Sequence, residues 1–408
     1  MRRREFLATT AVSALGASAR EGLAASAKRA TKRRKDPDAA NIPRWRGFNL
    51  QEMFGWGRKP GPFSALDFEL MADWGFNFVR LPLTYWNWSD RRNWMKIDES
   101  PLEYIDQAVE LGRQHGIHVS LNFHRIPGYC ITQADAEPAL LFHGPAKQRQ
   151  KALDAAIYHW QHFARRYKGI PGGQLSFNLL NEPPFALADE ALTRALQAQL
   201  PEFAAFLITE RDYEQVVQAL VAAIRQVDPD RLIVVDGLNV GRKPVLGLAD
   251  LGLVHGTRGY DPVGLTHYRA SWTADGPPWL TNRTPPTWPL LVKQRDFKHP
   301  LMGTLLGCGR WNKPRLRREL IDPWKGLEAK GAPVHVGECG VHNQTPHDVT
   351  LAWMRDALSL WKEAGWGYAL WELRGTFGVL DSRRSDVKYE TCKGHKLDRK
   401  MLALLQEF

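Results

Sequence analysis

Two glutamates stand where chemistry is easiest to build, each at the end of a short apolar run. The first run is Gln174-Leu-Ser-Phe-Asn-Leu-Leu-Asn-Glu182, followed by Pro183 and Pro184. The second is Pro333-Val-His-Val-Gly-Glu338, followed by Cys339 and Gly340. Each is bounded by Gly or Pro and is too short for a helix, so it reads as a buried strand. A carboxylate at such a tip is costly to desolvate, and two of them suggest a use. Paired carboxylates across a cleft are the machinery of glycoside hydrolysis, with one as acid/base and the other as nucleophile or base.

The elements that must position them alternate along the chain. Strands are expected at Trp45–Leu50, Phe76–Leu83, His118–His124, Leu175–Glu182, Leu232–Gly237, Val263–Tyr268, Val334–Glu338 and Tyr368–Leu373. Helical spacing of apolar residues appears between them, at Leu102–His115, Lys151–Tyr167, Tyr213–Val227, Arg315–Ala329, Asp348–Ala364 and Lys396–Phe408. Eight strands alternating with helices predict a single-domain α/β fold, the (β/α)8 TIM barrel. An open doubly wound sheet would favour a Gly-rich phosphate loop after the first strand, which Gly47-Phe-Asn-Leu50 does not supply.

A barrel puts function at the C-terminal ends of its strands. Those ends carry Asn49 and Glu52, Arg80, His124, Asn181 and Glu182, His267 and Tyr268, Glu338, and Trp371 and Glu372. One polar strand end could be a satisfied core group; a series on the same rim is harder to dismiss. Long connections at 183–211 and 269–313 lie on that side. Tryptophans cluster near it: Trp86, Trp88 and Trp94 after the second strand, and Trp272, Trp279, Trp288 and Trp311 after the sixth. Indoles there could offer flat apolar platforms to sugar rings, or simply pack under the loops. The 269–313 connection could also close one end of the cleft, which would favour exo action or short oligosaccharides.

In this order, Val-Arg80-Leu-Pro, Asn-Phe-His124-Arg-Ile-Pro-Gly, Asn181-Glu182-Pro183, Val-Gly-Glu338-Cys-Gly and Ala-Leu-Trp371-Glu resemble glycoside hydrolase family 5 from Trp45 to the C-terminus. The resemblance implies a retaining β-glycosidase acting on β-linked glucan- or mannan-type carbohydrate. It implies Glu182 as acid/base, Glu338 as nucleophile, Arg80 as the charge partner of Glu338, and Asn181, His124 and Trp371 as sugar contacts. It needs no cofactor and no metal. The family's His-x-Tyr at the end of strand six has adjacent residues here, His267-Tyr268. Both stay in the expected substrate site, with Tyr268 favoured to touch the nucleophile. A carbohydrate-binding pseudoenzyme is disfavoured by the presence of both glutamates. A transglycosidase would use the same covalent intermediate and stays open. A metal-dependent barrel hydrolase would show His-x-His, which is absent.

The formal charge of +11 would suggest a nucleic-acid partner, but residues 1–35 hold ten Lys/Arg against two acidic residues and so carry most of it. No nucleic acid is expected. Within that leader Arg2-Arg-Arg-Glu-Phe-Leu7 resembles a twin-arginine export signal, with small-residue cleavage patterns at Ala17–Ala19 and Ala25–Ala27. The expected division is a signal at 1–27, a basic and Pro-containing linker at 28–43, and the catalytic barrel at 44–408. The expected product is a periplasmic or extracellular monomer with no membrane insertion. Cys130, Cys308, Cys339 and Cys392 are scattered, which favours thiols over a disulfide.

Overall fold

In the computed structural model, described for residues 40–55, 59–131, 140–187, 189–199, 207–270, 284–293 and 308–408, eight parallel strands close into a barrel. They are β1 (Arg46–Asn49), β2 (Phe78–Thr84), β3 (His118–Arg125), β4 (Leu175–Asn178), β5 (Leu232–Asp236), β6 (Val254–Gly259), β7 (Val334–Cys339) and β8 (Tyr368–Leu370). Each strand pairs with its sequence neighbours, and β8 returns to β1. The chain divides into Met1–Asp36 and Pro37–Phe408, and every described residue belongs to the second unit. The expected export leader lies outside the described residues.

Helices clothe the barrel where apolar spacing required them. They are α1 (Ala65–Asp73), α2 (Leu102–His115), α3 (Ala146–Arg166), α4 (Glu190–Gln199), α5 (Glu210–Val227), α6 (His347–Ala364) and α7 (Arg399–Glu407). Their ends follow from local chemistry. Thr209 and Asp212 form a reciprocal capping box at the start of α5, and the Asp398 side chain accepts from Met401 N at the start of α7. Gly116 and Gly365 close α2 and α6 in the left-handed conformation. Aromatic packing ties helix to barrel: Trp160 of α3 stacks on Phe123 of β3 at 3.8 Å, and its indole N–H donates to Leu179 O.

Two expected elements differ. Helix Arg315–Ala329 is instead a series of short turns, Lys313–Leu316, Arg317–Ile321, Asp322–Trp324 and Lys325–Glu328. Pro323 has no N–H to give to an α-helical ladder. The expected sixth strand, Val263–Tyr268, is also wrong. The strand is Val254–Gly259, and Val263–Thr266 forms one helical turn after Pro262. The true strand carries His255, Arg258 and two glycines, so it lacks the apolar run that marked the others.

The barrel interior is filled. At its lower end Trp45 stacks on His118 at 3.8 Å, and Phe78 lies 4.5 Å from His335. Above them a cavity of only ≈ 10 Å³ separates this aromatic floor from Arg80, Asn178 and Asp236. Strand contact is equally close at Gly47, where an added Cβ would lie 1.7 Å from the Phe78 carbonyl oxygen, directly across the β1–β2 pair. Gly47→Ala should therefore cost about 3 kcal/mol or more, because the obstacle is backbone that cannot rotate away. Gly61→Ala, with nothing within 4 Å, should stay within about 0.5 kcal/mol of the parent. Equilibrium denaturant unfolding of the two variants measures the difference.

Candidate active site

The strand ends converge as a barrel requires. Arg80 comes from β2, Asp236 and Arg258 from the ends of β5 and β6, and Glu338 from β7. Asn181 and Glu182 follow β4. All but Glu182 are almost fully buried, and the Glu182 side chain is 16% exposed.

Two backbone irregularities aim the carboxylates. Glu182 has φ 48°, left-handed and uncommon for a non-glycine residue. The turn lets adjacent Asn181 and Glu182 both serve the site, which neighbours in a regular strand cannot do. It is held at both ends: Tyr129 Oη donates to the Glu182 carbonyl at 2.6 Å, and Glu182 N donates to Asp236 Oδ2 at 3.2 Å. On β7 the register with β6 slips between Val336 and Glu338, so Gly337 bulges and Glu338 falls opposite Arg258.

Two guanidiniums organise the centre. Arg80 Nη1 donates to Glu338 Oε1 at 2.7 Å and to Asn49 Oδ1 at 3.0 Å, while its Nε donates to Asn178 Oδ1. Arg258 Nε donates to Glu182 Oε1 at 3.2 Å, and its Nη2 donates to Asp236 Oδ2 and lies 3.4 Å from Glu338 Oε1. Both arginines donate to Asn181 Oδ1, each at 2.8 Å. With its oxygen taken twice, the Asn181 amide must turn its NH2 the other way, where it lies 3.3 Å from His124 Nε2. The second Glu338 oxygen accepts from Tyr260 Oη at 3.1 Å.

The electrostatics of the cluster act on Glu182. Burial, then the like charge of Glu338, pushes the Glu182 carboxyl up to about 7, against the pull of Arg258. Burial alone would discharge Arg258, but Asp236, Glu338 and Glu182 outweigh it and hold the guanidinium firmly charged. Burial, aided by Arg125 and Arg80, drives His124 well below the usual imidazole range, so it is a neutral hydrogen-bonding group. The site thus sets a carboxyl that keeps its proton to well above the usual carboxylate range beside a second carboxyl gripped by donors, a pairing suited to acid-assisted displacement.

The expected residues fall out as follows. Arg80, Asn181, Glu182, Glu338 and His124 are brought together. Trp371 joins them through ring contacts of 5.6 Å with both His124 and Phe54, making an aromatic wall. His267 lies one layer behind: its ring packs 4.9 Å from Tyr260, and burial pushes it down to about 3. Tyr268 is not the residue on Glu338. The hydroxyl that reaches Glu338 belongs to Tyr260, and Tyr268 is buried with the Arg269 guanidinium 5.2 Å from its ring. The cause is the misplaced sixth strand. Its end reads Arg258-Gly259-Tyr260, so the family's His-x-Tyr has Arg in place of His.

Glu372 caps structure, accepting from Phe377 N and Thr376 Oγ1, while Arg374 pairs with Glu52 and Asp67. Of the tryptophans, Trp88 and Trp311 are core, Trp86, Trp94 and Trp288 are part-exposed, and Trp272 and Trp279 lie outside the described residues. Most of the 269–313 connection lies outside them too. None of the four cysteines is disulfide-bonded. Among the described residues no group of three or more His, Cys, Asp or Glu could hold a metal ion, and no helix is long and apolar enough to cross a membrane.

Sequence reasoning missed Arg258, Tyr260, Asp236 and the buried Asn178. A usable signal existed for the last two: each is the polar residue closing a short apolar run, Leu-Ser-Phe-Asn178 and Ile-Val-Val-Asp236.

Comparison with known proteins bears on the family and the fold. The sequence model of the family described as "Cellulase (glycosyl hydrolase family 5)" matches residues 35–289, more than half of the chain. A crystal structure of a glycoside hydrolase is 38% identical, with a TM-score of 0.75 over 89% of this chain and 99% of that one. Endoglucanase C of Acetivibrio thermocellus is 26% identical across 79% of this chain and 88% of its own length. A Thermotoga maritima structure in complex with mannotriose superposes with a TM-score of 0.63 at 17% identity, covering 91% of this chain and all of that one, a likeness of fold.

The raised Glu182 has a stability consequence. Its folded value near 7 exceeds its ordinary value of 4.5, so its contribution is fully present below pH 4.5 and is lost as pH rises through 7. Glu182→Gln removes that loss. The variant's gain in Tm over the parent should be larger at pH 8 than at pH 4.5, as read by calorimetry at both values.

Proposed function

Because the chain belongs to glycoside hydrolase family 5, and is thus a glycosidase acting on O-glycosyl bonds, we propose that it retains configuration by double displacement, with Glu338 as nucleophile and Glu182 as acid/base. The observation that carries the reading is a shared guanidinium. Arg258 lies 3.2 Å from a Glu182 oxygen and 3.4 Å from a Glu338 oxygen, so the two carboxyl groups flank one small volume at the barrel mouth. Retaining enzymes need the carboxyls ~5–5.5 Å apart, too close for an interposed water.

In the first step a Glu338 oxygen attacks the anomeric carbon while Glu182 gives its proton to the departing glycosidic oxygen. The C–O bond to the leaving group breaks, and an ester to Glu338 forms. Arg80 and Tyr260, each donating to one oxygen of Glu338, hold it oriented before attack. In the second step Glu182, now a carboxylate, takes a proton from water as that water attacks the same carbon and frees Glu338. Two inversions give net retention. The Asn181 NH2, turned away from both arginines, donates to the neighbouring sugar hydroxyl, and Trp371 with Phe54 and His124 forms the apolar wall for the sugar face.

The substrate class we propose is a β-linked glucan or mannan, in keeping with relatives named for endoglucanase activity and a fold relative holding mannotriose. Given the Arg-Arg-Glu-Phe-Leu leader, export by a twin-arginine route to the periplasm or exterior is part of the proposal.

A panel of β-linked polysaccharides and aryl β-glycosides identifies the substrate. Glu338→Gln should then lower turnover by at least about 10⁴-fold. Glu182→Ala should slow glycosylation about 10²- to 10⁴-fold for poor leaving groups and far less for dinitrophenyl glycosides, which need little protonation. NMR of the first-formed product should show the β-anomer. An inverted anomer, or normal rates in both variants, overturns the assignment.

A further inference from the structure

Asp236 and Arg258 form an ion pair, each side chain 1% exposed, wedged behind both proposed catalytic glutamates. Neither residue is needed to contact a sugar, yet the backbone is shaped around them. A Cβ on Gly241 would lie 2.5 Å from Arg258 Cγ, one on Gly337 would lie 3.1 Å from Arg258 Nη1, and one on Gly256 would lie 2.5 Å from Asp236 Oδ1. Three glycines on three segments therefore make room for one pair. Burying an ion pair is expensive, and an apolar pair of similar volume would often be at least as stable, so stability alone is a weak reason for it.

Its contacts supply a better reason. Asp236 Oδ2 accepts from the Glu182 backbone N at 3.2 Å, and Asp236 Oδ1 accepts from Asn178 Nδ2 at 3.0 Å. Arg258 spans Glu182, Asn181 and Glu338. The pair touches Glu182 at both its main chain and its side chain, with opposite charges.

We propose that the Asp236–Arg258 pair is a positioning device for Glu182, fixing its turned backbone and balancing its carboxyl between one anion and one cation so that a single residue can serve as acid and then as base. This rests on the reading of Glu182 as acid/base. Other groups face Glu182 as well: Glu338 from β7, Arg80 from β2, Arg242 after β5, Tyr260 after β6 and Tyr129 after β3. None of these groups is altered in variants of the pair, so they are common to every arm of the comparison below.

The two partners push Glu182 in opposite directions. Asp236 favours the protonated form and Arg258 the ionised form. The test is a carbon-13 NMR titration of the Glu182 carboxyl, assigned by its absence in Glu182→Gln. It is run on the parent, Asp236→Asn, Arg258→Gln and the double variant, with circular dichroism and thermal melts confirming the fold. The parent should titrate near 7. Asp236→Asn should lower the midpoint by about one pH unit or more, and Arg258→Gln should raise it by a similar amount. The double variant should return toward the parent, and it carries the test if Arg258→Gln alone fails to fold. The alkaline limb of kcat/KM should follow each midpoint. Midpoints that stay put, or move the same way in both single variants, overturn the proposal. Midpoints that move in opposite directions while the alkaline limb does not follow would instead remove Glu182 as the acid, leaving the electrostatic role of the pair intact.

Discussion

The interaction on which the site depends is the sharing of three carboxyl groups between two buried guanidiniums. Arg80 and Arg258 contribute two positive charges; Glu338 and Asp236 contribute two negative ones. Glu182 is the fifth member, and the balance leaves it no charge to neutralise. In a low-dielectric pocket an extra anion is expensive, so the proton stays on Glu182. Its upward displacement, to about 7, comes first from burial and then from the like charge of Glu338, which Arg258 only partly offsets. Asn49, Asn178 and Asn181 absorb the remaining donor capacity of the arginines, which keeps the cluster from being half-satisfied.

The same count bears on the second half of the proposed reaction. Once Glu338 is esterified it no longer carries charge. The two arginines then face Asp236 alone, and an ionised Glu182 restores the balance. In that proposed reaction the change that loads the enzyme is also the change that turns Glu182 from acid to base. The requirement falls on the arginines, which must stay charged throughout, and the guanidinium suits that role because it does not lose its proton in the working pH range. A lysine could supply the charge, but not the planar fork with which Arg258 reaches Glu182, Asn181 and Asp236 together.

How much of this could be read beforehand depended on whether a strand's polarity matched its neighbours'. Glu182 and Glu338 end conspicuous apolar runs, and Arg80 sits in one, so the barrel and three of its central residues were legible. β6 was not. It contributes the densest part of the charge network, and for that reason its sequence, Val-His-Gly-Thr-Arg258-Gly259, has glycines for clearance and polar groups facing inward. The more apolar stretch a few residues later drew the strand assignment to itself, and with it the tyrosine expected on Glu338 moved from Tyr260 to Tyr268. Alternation rules identify strands that face a hydrophobic core; a strand whose inward face is the active site breaks them.

The backbone irregularities were invisible for a different reason. A regular β4 could not present both Asn181 and Glu182, and a regular β7 would not set Glu338 opposite Arg258. The left-handed Glu182 and the Gly337 bulge solve these problems separately, yet they meet at the same two residues. Asp236 holds the first through the Glu182 N–H, and the Arg258 Nη1 occupies the space that a Gly337 side chain would fill. Backbone strain and buried charge therefore support one another. Neither the turn nor the bulge is favourable alone, and neither buried ion is tolerable without its partners. Such mutual dependence has no local signature in a sequence, because each residue is compatible with its conformation only in the presence of the others.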